Sequence, residues 1–483
     1  MAVGAFLFIV LATANAAGYR YGVSDQAFYI PAFLRALDPA AFPRDAALID
    51  GQARLMVVDE VVAALVTTTG ITIPALCALG YFASLLMIYA ALLRIGTTLY
   101  ITRWGTVALV AAFTLRHQIT RTSANSFEPY FHPRMLAFAF GALAVAALLR
   151  RRSWTVVALV AAAAVVHITT ALWFAVLLGV ALIVSDRSLR PLLAGVAAVV
   201  AMAGLWTASA GPLAGSLVTI DPEWRQLLET KDTLFPNEWP AAAWLANLGT
   251  AAVWAWAYAE RRARGVATAA DMGLAAGGLA LVAVFLVTLP LVAAGVWLFV
   301  ELQISRVFWL VDFLATAYAI SAIEVRWPLR RAVVVAAGLL VAVSAGRGVY
   351  ILQVEHPERS LFEFNLPASA WTDAMRWLSH TPIDTHVLAD PGHAYRFGTS
   401  VRVAAGRDVF LEEVKDSAVA IYSRDVGMRV RERARAIGDF GQLSASRATA
   451  LAATYDLDYL VTTARLELPV AYRNDSITVY ALR

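Results

Sequence analysis

The chain reads as a polytopic α-helical membrane protein with about eleven transmembrane helices and a C-terminal extracytoplasmic α/β domain. Three observations lead there. Of its 483 residues, 60% are hydrophobic and only 15% charged, against about 45–50% and about 25% in soluble domains. The apolar residues fall in blocks at 2–18, 73–93, 104–116, 134–149, 154–184, 191–209, 241–258, 271–300, 305–323 and 332–349. Arginines gather in short gaps between those blocks, at 94–103, 150–152, 187–190, 261–264 and 326–331. The short alternating segments of a transmembrane β-barrel are absent.

The first block, MAVGAFLFIVLATANA, ends in small residues like a cleavage site but has no basic n-region, so it reads as a short first span. The alternative is a start codon assigned a few residues late. The block at 154–184 is too long for one span and carries His167 at its middle. Dividing it there places Arg94 and Arg103, Arg150 to Arg152, Arg187 and Arg190, Arg261, Arg262 and Arg264, and Arg326, Arg330 and Arg331 on one side. The positive-inside rule makes that side cytoplasmic, the N-terminus included. Leaving the block whole would set RRSW and RRARG on opposite sides. The expected location is a bacterial inner (plasma) membrane.

The segments 19–72, 116–134 and 210–240 then face outward, as does everything after 349. This divides the chain into a membrane module, 1–349, with outer loop 19–72, and an outer domain, 350–483. In the latter, PASAWTDAMRWLSHTP has the spacing of an amphipathic helix. HVLAD and VRVAA read as strands, EEVKDSAVAIYSRDVGMRVRERARAI as charged helix, and DYLVTT, LPVAYRN and SITVYAL as closing strands.

The basic residues are almost all arginine; only Lys231 and Lys415 are lysine. Arginines at membrane borders carry no implication of nucleic-acid binding. The single cysteine, Cys77, excludes an intramolecular disulfide. No P-loop, HExxH or GxSxG pattern is present, which leaves a nucleotide-driven pump and a serine hydrolase unsupported.

Ionisable residues amid apolar sequence are the candidates for chemistry, because burying them is costly unless they are paired or used. Asp25 opens the aromatic, proline-punctuated stretch SDQAFYIPAFLRALDPAAFPRD. With Ser24 it reads as a helix cap; alternatively it is a general base or cation ligand at the membrane border. The segment RHQITRTSANSFEPYFHPR packs Arg116, His117, Glu128, His132 and Arg134 among aromatics, either as a solvated loop or as a phosphate site, for which a guanidinium fork is suited. His167 is a buried structural imidazole or a contact for phosphate or a sugar hydroxyl. Arg306, near Glu301 and above Asp312, is half of an ion pair or a lipid-phosphate contact.

This layout resembles the GT-C superfamily of membrane glycosyltransferases, which includes oligosaccharyltransferases, protein O-mannosyltransferases and bacterial lipid-sugar transferases. The likeness rests on GVSDQAFYIPAFLRAL after a short leading span, on RRRSWTVVALVAAAAVVHITTALW with a polar residue between paired short helices, and on LQISRVFWLVDFLATAYA ahead of a final span and an outer α/β tail. It is an architectural resemblance over nearly the whole chain.

The resemblance implies transfer of a sugar from a polyprenyl-phosphate donor to a glycan, lipid or protein acceptor on the outer face. Asp25 would be the general base. Arg134, Arg306, His132, His167 and Glu128 would form the phosphate and substrate site, with Trp224 or Trp239 stacking on sugar. Many members carry two adjacent carboxylates in the first loop, whereas this chain has Asp25-Gln26. A divalent cation, Mg or Mn, therefore stays open, with no metal ligand assigned. Two other readings are a non-catalytic relative that binds lipid-linked sugar and a membrane transporter; no internal repeat supports the latter.

Overall fold

The computed structural model describes residues 2–53, 56–115, 117–211, 213–327 and 330–483. Arg116 lies outside them. Every apolar block is helical: Ala2–Asn15, Ile73–Leu99, Arg103–Thr114, Pro133–Leu149, Ser153–Val166, Ile168–Ser185, Arg190–Ser209, Ala241–Ala263, Ala269–Ala293, Val307–Arg326 and Arg330–Tyr350. Among the described residues, six segments are long and apolar enough to cross a membrane by length and composition: Ile73–Leu99, Ile168–Ser185, Arg187–Ser209, Ala269–Ala293, Trp297–Arg326 and Arg331–Glu355. The helices Ala2–Asn15, Pro133–Leu149 and Ser153–Val166 are apolar but shorter.

The long 154–184 block breaks at His167, which is extended (φ −158°, ψ 98°). Its backbone N–H still closes the first helix on Ala163. Its Nδ1 accepts from the Thr170 N–H at 3.3 Å and so begins the second. One residue ends one helix and caps the next.

Helix packing inside the bundle depends on small residues, since lipid supplies no hydrophobic drive between helices. Gly273 and Gly277 on Ala269–Ala293 sit against the backbone carbonyls of Ala181 and Leu177 on Ile168–Ser185, where a Cβ would collide with the oxygen. Elsewhere large rings interlock, as where Phe138 stacks on Trp309 with centroids 4.4 Å apart.

The loops sort onto two ends of the bundle. At one end Arg150 Nη2 donates to Thr97 Oγ1 (2.9 Å), Arg326 pairs with Glu260 (3.2 Å), and buried Arg261 reaches the carbonyl of Leu99 (3.1 Å). At the other end the segments 19–53 and 213–240 contact the C-terminal domain, and 117–134 lines a cavity with it. Tyr19–Arg20 pairs in parallel with Phe362–Glu363, and the Trp224 indole donates to the Ala420 carbonyl at 2.9 Å.

That domain is built on a five-stranded mixed sheet. Its order is Asp408–Val409, His386–Ala389, Tyr459–Thr462, Thr478–Ala481, Val470–Arg473. The first three run parallel and the last two antiparallel. Helix Ala370–Leu378 buries Trp371, Met375 and Leu378 against it. The stretch expected as one charged helix divides into Glu413–Val419 and Arg424–Ile437, the second capped by Ser423.

VRVAA, expected as a strand, is instead the helical turn Val401–Ala404. The Ser400 hydroxyl caps it by accepting from the Val403 N–H at 3.1 Å. The turn lets Val401 enter the core while Arg402, 1% exposed, points into a set of buried carboxylates. Its Nε donates to Asp45 (2.7 Å) and its fork grips Asp416 (2.6 and 3.1 Å). Asp45 also pairs with Arg429 and accepts from the Val409 N–H at 3.1 Å. The loop that carries Asp45 is thereby bolted to the C-terminal domain by the buried charges of Asp45, Arg402 and Asp416.

Burial alone would raise the Asp45 carboxyl, but Arg402 and Arg429 hold it well below the ordinary carboxylate range. Such a group adds stability above its unfolded value, about 3.9, and that contribution fades as the pH falls below it. Arg402→Met leaves Asp45 and Asp416 buried without their shared partner, which costs about 3–5 kcal/mol. Thermal unfolding in detergent is expected to show this loss at pH 7, with the gap to wild type narrowing once the pH drops below about 4.

Candidate active site

The bundle and the C-terminal domain close around a cavity of about 250 Å³. Asp25, His132, Arg134, His167 and Arg306, remote from one another in sequence, all line it, together with Lys231, Lys415, Phe28, Tyr29, Tyr395 and Tyr422.

Asp25 is the residue that precedes helix Gln26–Leu37, after Ser24 in the left-handed region (φ 51°). It makes no side-chain cap bond. Its carboxylate turns into the cavity, where Oδ1 accepts from Lys415 Nζ (2.7 Å) and Oδ2 from the Tyr130 hydroxyl (3.1 Å). His132 Nε2 lies 3.4 Å from Oδ2. Burial would raise the Asp25 carboxyl, but Lys415 and the hydrogen bond from His132 keep it well below the ordinary range. Across neutral pH it is an anion.

His132 is the cap of Pro133–Leu149, its Nδ1 accepting from the Arg134 N–H at 3.0 Å. The ring proton therefore sits on Nε2, aimed at Asp25. Burial first, and the neighbouring Arg134 second, push the imidazole down to about 4 against the pull of Asp25. It is neutral at pH 7 and donates from Nε2.

Arg134 lies over the Trp309 ring, 6.0 Å from its centroid, and its Nη2 donates to Glu128 at 2.9 Å. Glu128 does not line the cavity; it also accepts from Asn125 Nδ2 (3.2 Å), and it fixes Arg134. Arg306 follows Gln303, a non-glycine residue in the left-handed region (φ 50°) that breaks the helical run before Val307. Its Nε has no hydrogen-bond partner among the described residues. A guanidinium with spare donors at a cavity wall suits an oxyanion.

Trp224 and Trp239 stand outside the cavity. Trp224 packs edge-on against Trp297 (centroids 5.1 Å) and is tied to Ala420. Trp239 is buried beside Trp244, and its indole donates to the Asp232 carbonyl at 2.8 Å. Both rings are spent on attaching the 213–240 loop. The aromatic faces at the cavity are Phe28, Tyr29, Tyr395 and Tyr422. Asp312 pairs with His117 at 2.8 Å outside the cavity.

Lys231, Lys415 and Tyr130 are site groups that motif reasoning passed over. One signal was in the composition: the chain has only two lysines, and both line this cavity.

The residues around Asp25 do not fit a divalent cation. The ammonium of Lys415 occupies the position beside Oδ1 where a cation would sit. Gln26, in place of a second carboxylate, is 1% exposed and committed elsewhere: its Oε1 accepts from the Gly22 N–H (2.6 Å) and its Nε2 donates to the Phe131 carbonyl (3.3 Å). Among the described residues no three His, Cys, Asp or Glu side chains converge as a metal site would require.

Because Gln26 must donate to a carbonyl, Gln26→Glu does not turn Asp25-Gln26 into a ligand pair. It sets a carboxylate against the Phe131 oxygen and is expected to destabilise the protein by about 1–3 kcal/mol. The measurement is the melting temperature with and without MnCl₂, and no stabilisation by manganese is expected.

No family model matches the chain, and no curated protein matches its sequence. Among solved structures it is similar to the Archaeoglobus fulgidus oligosaccharyltransferase. Against the complex with Zn and sulfate the TM-score is 0.47 at 11% identity, covering 95% of this chain and 67% of the other. Against the apo form it is 0.44 at 12% identity, covering 95% and 69%. Against that organism's oligosaccharyltransferase AglB, in complex with an inhibitory peptide and a dolichol-phosphate, it is 0.35 at 13% identity, covering 95% and 69%.

Proposed function

We propose that the chain is a membrane glycosyltransferase. It moves a sugar from a polyprenyl-phosphate donor to a nucleophile of a glycan, lipid or protein on the extracytoplasmic side of the membrane. One observation carries this reading. A single carboxylate, Asp25, lies in a cavity otherwise lined by Arg134, Arg306, Lys231 and Lys415, with two imidazoles and four aromatic rings. A phosphate-bearing sugar needs such a combination: cations for the phosphate, ring faces for the sugar, one base for the acceptor.

The chemistry follows from those roles. The acceptor O–H gives its proton to Asp25 as its oxygen attacks the anomeric carbon. The bond from that carbon to the phosphate oxygen breaks, and its electron pair leaves with the lipid phosphate, so the anomeric centre inverts. Arg306, with an unpartnered Nε, and Arg134, held by Glu128, are set to stabilise the charge that grows on the phosphate. His132, neutral with its proton on Nε2, donates towards Asp25 and keeps the carboxylate oriented.

Asp25→Asn keeps the shape of the side chain and removes the base. It is expected to lower transfer by about 10²–10⁴-fold in membranes supplied with polyprenyl-phosphate sugar, while leaving the melting temperature within a few degrees. Undiminished transfer by that variant would remove Asp25 from the reaction. Uptake of sugar into sealed vesicles without any glycosylated product would replace the enzyme by a transporter.

A further inference from the structure

We propose that Lys415 is the catalytic cation of this site. Its ammonium stands where a divalent metal would sit beside Asp25, and during transfer its charge passes from the Asp25 carboxylate to the leaving phosphate. The inference rests on the glycosyltransferase reading for its substrate and on the geometry for everything else.

The residue type is the first argument. Every other basic side chain except Lys231 is arginine, even at buried positions such as Arg402 and Arg261. Where the chain needs a fixed fork it uses guanidinium. At the cavity it twice uses an ammonium, a compact point charge on a flexible stem that can exchange one oxyanion for another.

Placement is the second argument. The Lys415 side chain is 8% exposed and lies over the Phe28 ring, 5.4 Å from the centroid, with Nζ 2.7 Å from Asp25 Oδ1 and 3.4 Å from Ser24 Oγ. Its helix, Glu413–Val419, is locked in position because Arg402 grips Asp416, one residue on, and Asp45 of the loop that carries Asp25. The ammonium is therefore delivered to the carboxylate by two interlocked segments, and it shares its cavity with Arg134, Arg306 and Lys231.

The charge balance is the third. Before reaction Asp25 carries one negative charge and the donor phosphodiester another. Afterwards Asp25 holds the acceptor's proton and is neutral, while the departing phosphomonoester has gained the charge. Lys415 loses one anionic partner as the other gains charge, without changing its own protonation and without any further reactant.

The experiment compares wild type, Lys415→Gln and Lys415→Asp in detergent or nanodiscs. Wild-type transfer is expected to persist within about twofold in excess EDTA, while Lys415→Gln lowers transfer by about 100-fold or more, the loss expected for one preorganised stabilising group. In Lys415→Gln the acid limb of the kcat/KM profile moves to higher pH, because Asp25 loses the charge that depresses it. A purely structural lysine would not move that limb. Manganese binding, read by electron paramagnetic resonance of added Mn²⁺, is expected in Lys415→Asp and not in wild type.

Loss of wild-type transfer in EDTA with recovery on adding Mn²⁺ overturns the proposal. So does wild-type transfer by Lys415→Gln, or wild-type binding of Mn²⁺ as tight as that of Lys415→Asp. If wild type forms no glycosylated product under any condition, the glycosyltransferase reading fails, and the Mn²⁺ spectra still decide whether Lys415 holds the cation's place.

Discussion

The buried guanidinium of Arg402 holds the rest together. It joins Asp45, in the segment after the first helix, to Asp416 in the C-terminal domain, and all three side chains are essentially without solvent. Stripping three charged groups of water is costly, and the arrangement survives because each oxygen and nitrogen finds a charged or backbone partner. Removing Arg402 leaves Asp416 without its cation and Asp45 with Arg429 alone. The joint therefore turns on Arg402, the one side chain that touches both distant parts of the chain from which the cavity is made.

Everything at the cavity inherits that joint. The loop holding Asp45 also begins with Asp25, and the helix holding Asp416 also carries Lys415. The pair between Asp25 and Lys415 is thus the working end of a frame whose fixed end is Asp45, Arg402 and Asp416. The bundle supplies the opposite wall. His132 caps one helix, His167 separates two, and Arg306 follows a backbone break at Gln303, so each reaches the cavity from a helix end. Helix ends carry unpaired backbone groups and changes of direction, and they let polar side chains face inward where a continuous apolar helix would not.

The bundle was largely legible from sequence, because apolar runs and arginine clusters are one-dimensional signals. The division of 154–184 at His167 is the sharpest case, since both block length and charge sidedness demanded it. The sheet strands at 386, 459, 470 and 478 were legible through alternation and turn residues. VRVAA was not, because its alternation matched a strand while the deciding contacts of Arg402 lie far away in sequence. Glu128, Trp224 and Trp239 share one explanation. Their residue types suit a substrate site, yet each is occupied by a partner: Arg134 and Asp232 within seven residues of Glu128 and Trp239, and Ala420 far along the chain from Trp224. Lys415 and Lys231 were hidden for the opposite reason. They lie in segments with no motif, and their rarity in an arginine-rich chain was the one local clue.

The contact between Asp25 and Lys415 joins residues 390 apart. The carboxylate is therefore made long before the ammonium that pairs with it. Between them in sequence lie the bundle helices from Ile73–Leu99 to Arg330–Tyr350. Until Lys415 is made the aromatic loop beginning at Ser24 has no partner to shut it, and Asp25 faces an unfinished wall. A chain stopped before Lys415 consequently has no closed polar cavity: its walls meet only once residues 390 apart have both been made.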